Sequence, residues 1–182
     1  MLIAITGASG IIIAIKLLEH LKAKGVVTEL IISKAAEKII LIEKDHNIEE
    51  IRRLASRNYE VDDLTAPPSS GSYKVNAMII VPCSMKTLAS IANGYADNLI
   101  TRAADVMIKE NRKLILVVRE SPFSAIHLEN MLKLAKLGVI IAPPIPSYYI
   151  KPKSINELTD YFVGRILDHV GIESGIKRWG EY

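Results

Sequence analysis

The chain has 182 residues, 49% of them hydrophobic and only 5% aromatic, and a formal net charge of +3. That length suits one domain with a sizeable core, and no apolar run approaches the ~18 residues of a membrane span. The charge is too small to argue for nucleic acid and fits an anionic small molecule at least as well, while a lone Cys83 excludes an internal disulfide and a multi-cysteine metal site.

No charged segment precedes the first apolar run, so no signal peptide is expected and the chain reads as cytoplasmic. It opens with Leu2-Ile3-Ala4-Ile5, breaks at TGASG (6–10) and resumes as an apolar helical stretch to about Leu21. A buried strand, a tight turn and a helix whose first N–H groups attract phosphate give this pattern. Gly7 and Gly10 permit close approach of a ligand. Ser9 offers a helix cap or a hydroxyl for a ligand. The spacing is neither GxGxxG nor GxxxxGK[ST], and on this stretch alone a plain connection explains it as well as a nucleotide does.

Gly25 stops the first helix. A strand over 26–32 follows, then a helix from Ser33 to about Glu43 and an amphipathic helix over 47–57, with Ile48, Ile51, Leu54 and Ala55 on one face. Residues 59–61 read as an edge strand. Residues 62–74, containing APPSSGS, read as a loop and a candidate lid. A buried strand over 76–81 ends at Pro82-Cys83-Ser84. Helices over 85–93 and 98–110, a strand over 113–118, a helix over 124–137 and a strand over 139–142 complete the alternation. Pro143, Pro144 and Pro146 make a rigid turn. Ser154 caps a last helix to about Val170, with Glu157 completing a capping box. The tail, 171–182, holds the only Trp, Trp179, and is expected with Tyr182 at a subunit interface. Strands alternating with helices give an α/β three-layer architecture with a mostly parallel sheet of about six strands.

Ligands in such folds sit at the carboxyl ends of strands where strand order reverses. The unusual residues lie at those ends: Gly7, Ala8 and Ser9; Ser33; Cys83 to Thr87; Arg119 and Glu120; and the prolines after Ala142. Ser84, Met85, Lys86 and Thr87 open a helix and make a second anion-friendly N-terminus, or simply cap it. Arg102 and Lys109 share a helix face, with Asp105 between them to pair with Lys109; on these residues alone a solvated ion-paired face is the plainer account. Glu43, beside Ile39, Ile40 and Ile42, reads first as a surface Glu, the alternative being a carboxylate whose apolar neighbours raise its pKa for acid–base work. Cys83 reads as a small core residue. Arg165 and Tyr149, each alone, are packing or surface. The four histidines, His20, His46, His127 and His169, lack ligand spacing, so no metal is expected.

Taken together, TGASG (6–10), ISKAA (32–36), APPSSGS (66–72), PCSMKTLASIANGYADNLITRAADV (82–106), RESPFSAIHLENMLKL (119–134) and RWGE (178–181) resemble the UbiX/Pad-type flavin prenyltransferases over nearly the whole chain. The resemblance implies a Rossmann-like (flavodoxin-like) FMN-binding fold and a homo-dodecamer. It implies metal-independent transfer of a dimethylallyl group from dimethylallyl phosphate to reduced FMN at N5 and C6. The product, prenylated FMN, would serve a UbiD-type decarboxylase. By the same resemblance, Gly7, Ala8, Ser9, Ser33, Ser84, Met85, Lys86, Thr87 and Arg119 contact FMN. Arg102, Lys109, Tyr149 and Arg165 hold the substrate phosphate, and Ser9, Glu43, Glu120 and Lys109 assist the chemistry. One departure stands out: the stretch after TGASG is Ile11-Ile12-Ile13-Ala14-Ile15, where the family commonly has a small-aromatic-Gly run. A non-catalytic flavin carrier, or a flavin-dependent cysteine decarboxylase, is the alternative. A carrier needs no second phosphate seat, and a decarboxylase is expected to have a catalytic His near the flavin and a substrate-clamping Asn/Met loop, neither of which can be placed in the sequence.

Overall fold

The computed structural model describes residues 1–43 and 47–181; His46 and Tyr182 lie outside the described residues. Six strands form one parallel sheet: β1 (Leu2–Ile5), β2 (Glu29–Ile32), β3 (Arg57–Tyr59), β4 (Ala77–Cys83), β5 (Lys113–Val118) and β6 (Ile140–Ile141), in the order β3-β2-β1-β4-β5-β6. Between them run α1 (Ile11–Ala23), α2 (Lys34–Glu43), α3 (Ile48–Arg52), α4 (Met85–Ala92), α5 (Leu99–Lys109), α6 (Ala125–Lys136) and, last, α7 (Ile155–His169).

Because strand side chains alternate faces, each central strand feeds two cores. Leu2, Ala4, Met78, Ile80, Leu114 and Leu116 pack beneath α4, α5 and α6. Ile3, Ile5, Ile79, Val81, Ile115 and Val117 pack against α1, α2, α3 and α7. Both faces are covered, which is why these strands are apolar throughout. The unusual Ile11–Ile15 run forms its helix, with Ile11, Ile13, Ala14 and Ile15 buried in the second core.

Several boundaries differ from expectation, among them the start of β2, at Glu29 rather than Val26. The helix expected over 47–57 stops at Arg52, and the edge strand begins at Arg57 rather than Tyr59. Its short apolar stripe is used up by Ile51, and β2 draws residues 57–59 into the ladder. Strand β4 runs on through Pro82 to Cys83; the Val81–Pro82 peptide is cis. The loop over 62–74 contains a 3-10 turn at Pro67–Ser69. Glu157 does not close a reciprocal box with Ser154: the Ser154 hydroxyl accepts from the Glu157 N–H, but the Glu157 carboxylate accepts from the Lys153 N–H. Among the described residues, no helix is long and apolar enough to cross a membrane.

Candidate functional site

Strand order reverses between β1 and β4, and their carboxyl ends are stitched together by Thr6. Its buried hydroxyl donates to the Pro82 carbonyl at 2.8 Å and accepts from the Ser84 N–H at 2.8 Å. The Thr6 N–H also reaches the Pro82 carbonyl, at 3.2 Å. This cross-link fixes the two loops that flank a cavity of about 560 Å³, a size typical of small-molecule sites.

Three helix starts converge on the cavity. At α2 the Ser33 hydroxyl accepts from the Ala36 N–H at 3.1 Å. At α4 the Ser84 hydroxyl accepts from the Thr87 N–H at 3.3 Å. At α5 the Asn98 side chain accepts from Ile100 and Thr101. Each cap satisfies one or two amides; helix geometry leaves the first-turn N–H groups of Met85 and Lys86 without intrahelical carbonyls, with the positive end of the helix dipole behind them. Gly7 and Glu120 complete the lining from the ends of β1 and β5, and Asp62 follows β3. Two ion pairs stand on the walls, Lys86–Asp97 at 3.2 Å and Lys34–Asp62 at 3.6 Å. A Cβ on Gly7 would lie 2.5 Å from the Ala35 Cβ, so glycine is what lets the first turn seat against α2. Cys83, just behind Ser84, is fully buried, and burial pushes its thiol pKa far up; it is a core residue.

The start of α1 is different. Its N-cap is Gly10, at φ 102°, and Ser9 is exposed and makes no cap. The carboxylate of Glu43, at the far end of α2, accepts from the Gly10 N–H at 2.9 Å and the Ile11 N–H at 3.1 Å. The expected setting of Glu43 is thereby corrected: it faces two amide donors and the positive end of α1, not an apolar wall. The expectation that these amides attract a phosphate is corrected too, since a carboxylate holds them.

Tyr149 and Arg165 border a second cleft, of about 390 Å³, beneath the C-terminal tail. The Tyr149 and Tyr161 hydroxyls are 2.6 Å apart, and that bond raises the Tyr149 pKa, with Arg165 pulling the other way. Asp168 accepts from Arg165 at 3.0 Å and from both terminal nitrogens of Arg178, at 3.1 and 2.9 Å. The Arg178 guanidinium holds the Asp168 carboxyl below the usual aspartate value. Trp179 meets Tyr149 edge-on, ring centroids 5.0 Å apart.

Arg102 and Lys109 occupy a third place, along α5 and against the 66–73 segment. Arg102 donates to the Ser69 carbonyl at 3.0 Å, and Arg112 to the carbonyls of Gly71 and Tyr73 at 2.6 and 2.7 Å. The candidate lid is thus strapped to α5. Asp105 pairs with Arg102, at 2.7 Å, and Lys109 with Glu110; the expected Asp105–Lys109 pair does not form. Lys109 lies ten residues along the helix from Leu99, a rise of about 15 Å from the cavity end.

Residues 1–167 match the Flavoprotein family. The flavin prenyltransferase UbiX of Methanocaldococcus jannaschii is 54% identical over 180 residues, spanning 98% of this chain and 97% of that protein. This chain belongs to the UbiX family of flavin prenyltransferases. The crystal structure of AnUbiX (PadA1) in complex with FMN and dimethylallyl pyrophosphate matches with a TM-score of 0.97 at 47% identity, covering 100% of this chain and 97% of that one. A dodecameric FMN-dependent UbiX-like decarboxylase from Escherichia coli O157:H7 matches with a TM-score of 0.95 at 43% identity, covering 98% and 97%.

Within this UbiX-family chain, the structure gathers Gly7, Ser33, Ser84, Met85, Lys86, Thr87 and Glu120 around one cavity. Ala8 and Ser9 continue the same turn, and Arg119, exposed, donates its N–H to the Cys83 carbonyl at 3.2 Å beside it. Tyr149 and Arg165 share the second cleft, and Arg102 and Lys109 stand apart from both within one protomer. Sequence reasoning missed Thr6, Asp62, Arg112 and Asp168. A buried Thr immediately after an apolar strand was the available signal for Thr6, and the i,i+3 spacing from Arg165 was the one for Asp168; Asp62 and Arg112 act through partners distant in the chain, Lys34 and the 71–73 carbonyls, and carry no local signature.

Proposed function

We propose that this chain transfers a dimethylallyl group from dimethylallyl phosphate to reduced FMN at N5 and C6, and that the prenylated FMN serves a UbiD-type decarboxylase. The observation that carries this reading is the cavity at the β1/β4 switch point, where three helix starts and a Gly7–Ala35 contact leave a polar, close-walled seat in a chain of the UbiX family.

Those residues fit FMN: Ser84, Met85, Lys86 and Thr87 suit its phosphate, and Gly7, Ala8, Ser9, Ser33 and Arg119 its remaining length. When bound and reduced, FMN supplies the nucleophilic nitrogen and ring carbon. The chain's own task is alignment, exclusion of water and stabilisation of the departing phosphate. Tyr149 and Arg165 are the phosphate seat in one cleft, and Arg102 and Lys109 add fixed positive charge; cations held by the fold cost no reorganisation as the leaving group gains charge. Glu43, Ser9 and Glu120 are assigned to proton movement around the flavin.

Since these groups occupy separate places in one protomer, we further propose that the seat is completed between subunits of a homo-dodecamer, with the tail at an interface. Ile126, Leu128 and Leu132, all exposed on α6, support such association. We also assign the protein to the cytoplasm. The test is an anaerobic incubation of the purified protein with reduced FMN and dimethylallyl phosphate, followed by mass spectrometry. Flavin heavier by one dimethylallyl group is the expected outcome; recovery of unmodified FMN alone overturns the reading.

A further inference from the structure

Outside the Tyr149–Trp179 pair opens a broad cleft of about 870 Å³, walled by Tyr149, Trp179, Lys151, Lys153, Lys177 and Glu157. Tyr149, Lys177 and Trp179 border both this cleft and the inner one that holds Arg165, so the two lie side by side. Their charges are organised differently. Arg165 and Arg178 of the inner cleft are both paired with Asp168. Among the described residues, none of the Lys151, Lys153 and Lys177 ammonium groups enters an ion pair with a carboxylate. Among the described lining residues the carboxylate is that of Glu157, which accepts from the Lys153 N–H at 2.7 Å.

Three exposed ammonium groups around one concavity repel each other and concentrate anions. The aromatic rings at its inner edge give the anion an apolar flank. Lysines on flexible stems act as movable point charges, suited to a phosphate whose position varies. We infer that this outer cleft binds the terminal phosphate of a diphosphorylated prenyl donor, while Tyr149 and Arg165 hold the phosphate joined to the carbon chain. The inference rests on the proposed prenyl transfer; Lys151, Lys153 and Lys177 then decide how well the diphosphate competes with the monophosphate.

The test uses the full-length protein and its single Trp as reporter. Inorganic pyrophosphate is titrated against Trp179 fluorescence, with inorganic phosphate as the second arm, in wild type, in K151Q/K153Q/K177Q and in the charge-preserving K151R/K153R/K177R. Wild type and the Arg variant are expected to bind pyrophosphate, and the Gln variant about tenfold more weakly. In turnover, the ratio of kcat/KM for dimethylallyl diphosphate to that for the monophosphate should fall about tenfold in the Gln variant. Pyrophosphate binding equal in wild type and Gln variant, or no binding in either, overturns the inference, as does an unchanged ratio. Equal retention of pyrophosphate and phosphate by wild type also overturns it, because it marks a general anion surface. If prenyl transfer from the monophosphate proceeds with the ratio unchanged, the prenyltransferase reading stands alone. If pyrophosphate binding depends on the lysines but neither donor yields prenylated flavin, the cleft stands and that reading falls.

Discussion

The Glu43 carboxylate caps α1 through the Gly10 N–H, at 2.9 Å, and the neighbouring Ile11 N–H, at 3.1 Å. A residue 33 positions downstream thereby does what a local Ser or Asp ordinarily does at a helix start. It ties the end of α2 to the turn after β1, so the group assigned to proton movement also shapes the loop beside the cavity.

Glu43→Gln should therefore act twice. The amide keeps one acceptor but loses the charge that complements the helix end, a stability loss of about 0.5–1 kcal/mol. With a scale of about 2–4 °C per kcal/mol for a chain this size, thermal melting should fall by a few degrees. Turnover should slow well beyond that while FMN stays bound; turnover equal to wild type removes Glu43 from the mechanism.

Thr6→Val keeps shape and removes the hydroxyl that serves both Pro82 and Ser84. The Pro82 carbonyl keeps the Thr6 N–H at 3.2 Å, but the half-buried Ser84 N–H loses its acceptor, which costs about 1–3 kcal/mol at most. Urea denaturation should show the loss, and flavin retention through gel filtration should weaken because the Ser84 loop is no longer pinned. Full stability would mean the stitch is dispensable.

Gly7→Ala drives a methyl to within 2.5 Å of the Ala35 Cβ, and overpacking of this kind costs about 1–3 kcal/mol. Ala35→Gly should relieve it. A double-mutant cycle by denaturation is expected to give a favourable coupling, since the two residues touch; simple additivity would place the strain elsewhere.

The tail should answer to acid through Asp168. Its carboxyl is held below the ordinary aspartate value of 3.8 by Arg178, with Arg165 assisting. A depressed folded value means the stabilisation is complete above that ordinary value and is lost as pH falls through the folded one. Trp179 emission, reporting tail release, should stay constant at neutral pH and shift as the solution is acidified below about pH 4. In Asp168→Asn the shift should already be present at pH 7. A wild-type-like emission in that variant would detach the tail's position from the Asp168–Arg178 pair.

Local pattern carried much of this protein. Aliphatic runs bounded by small residues marked five of the six strands near their true positions, and β5 was legible end to end, because a buried parallel strand is apolar on both faces and its punctuation is sharp. Ser33 and Ser84 stood out for the same reason: a cap and an anion-friendly helix start are written within four residues. The strand β3 and the end of α3 were misjudged because a neighbour's ladder overrode a weak amphipathic stripe.

By itself, then, the sequence determined the α/β alternation, the strand ends that carry polar residues and the membership those motifs announce, since each depends on residues close together in the chain. Only the tertiary structure decided that Glu43 caps α1, that Thr6 clasps β4, that Arg102 turns to Asp105 and Ser69 rather than leaving Asp105 to Lys109, and that Asp168 gathers two arginines. Those choices pit charges and hydrogen-bonding groups against several possible partners, and which pairing wins is set by the distances that packing two helical layers on one sheet imposes.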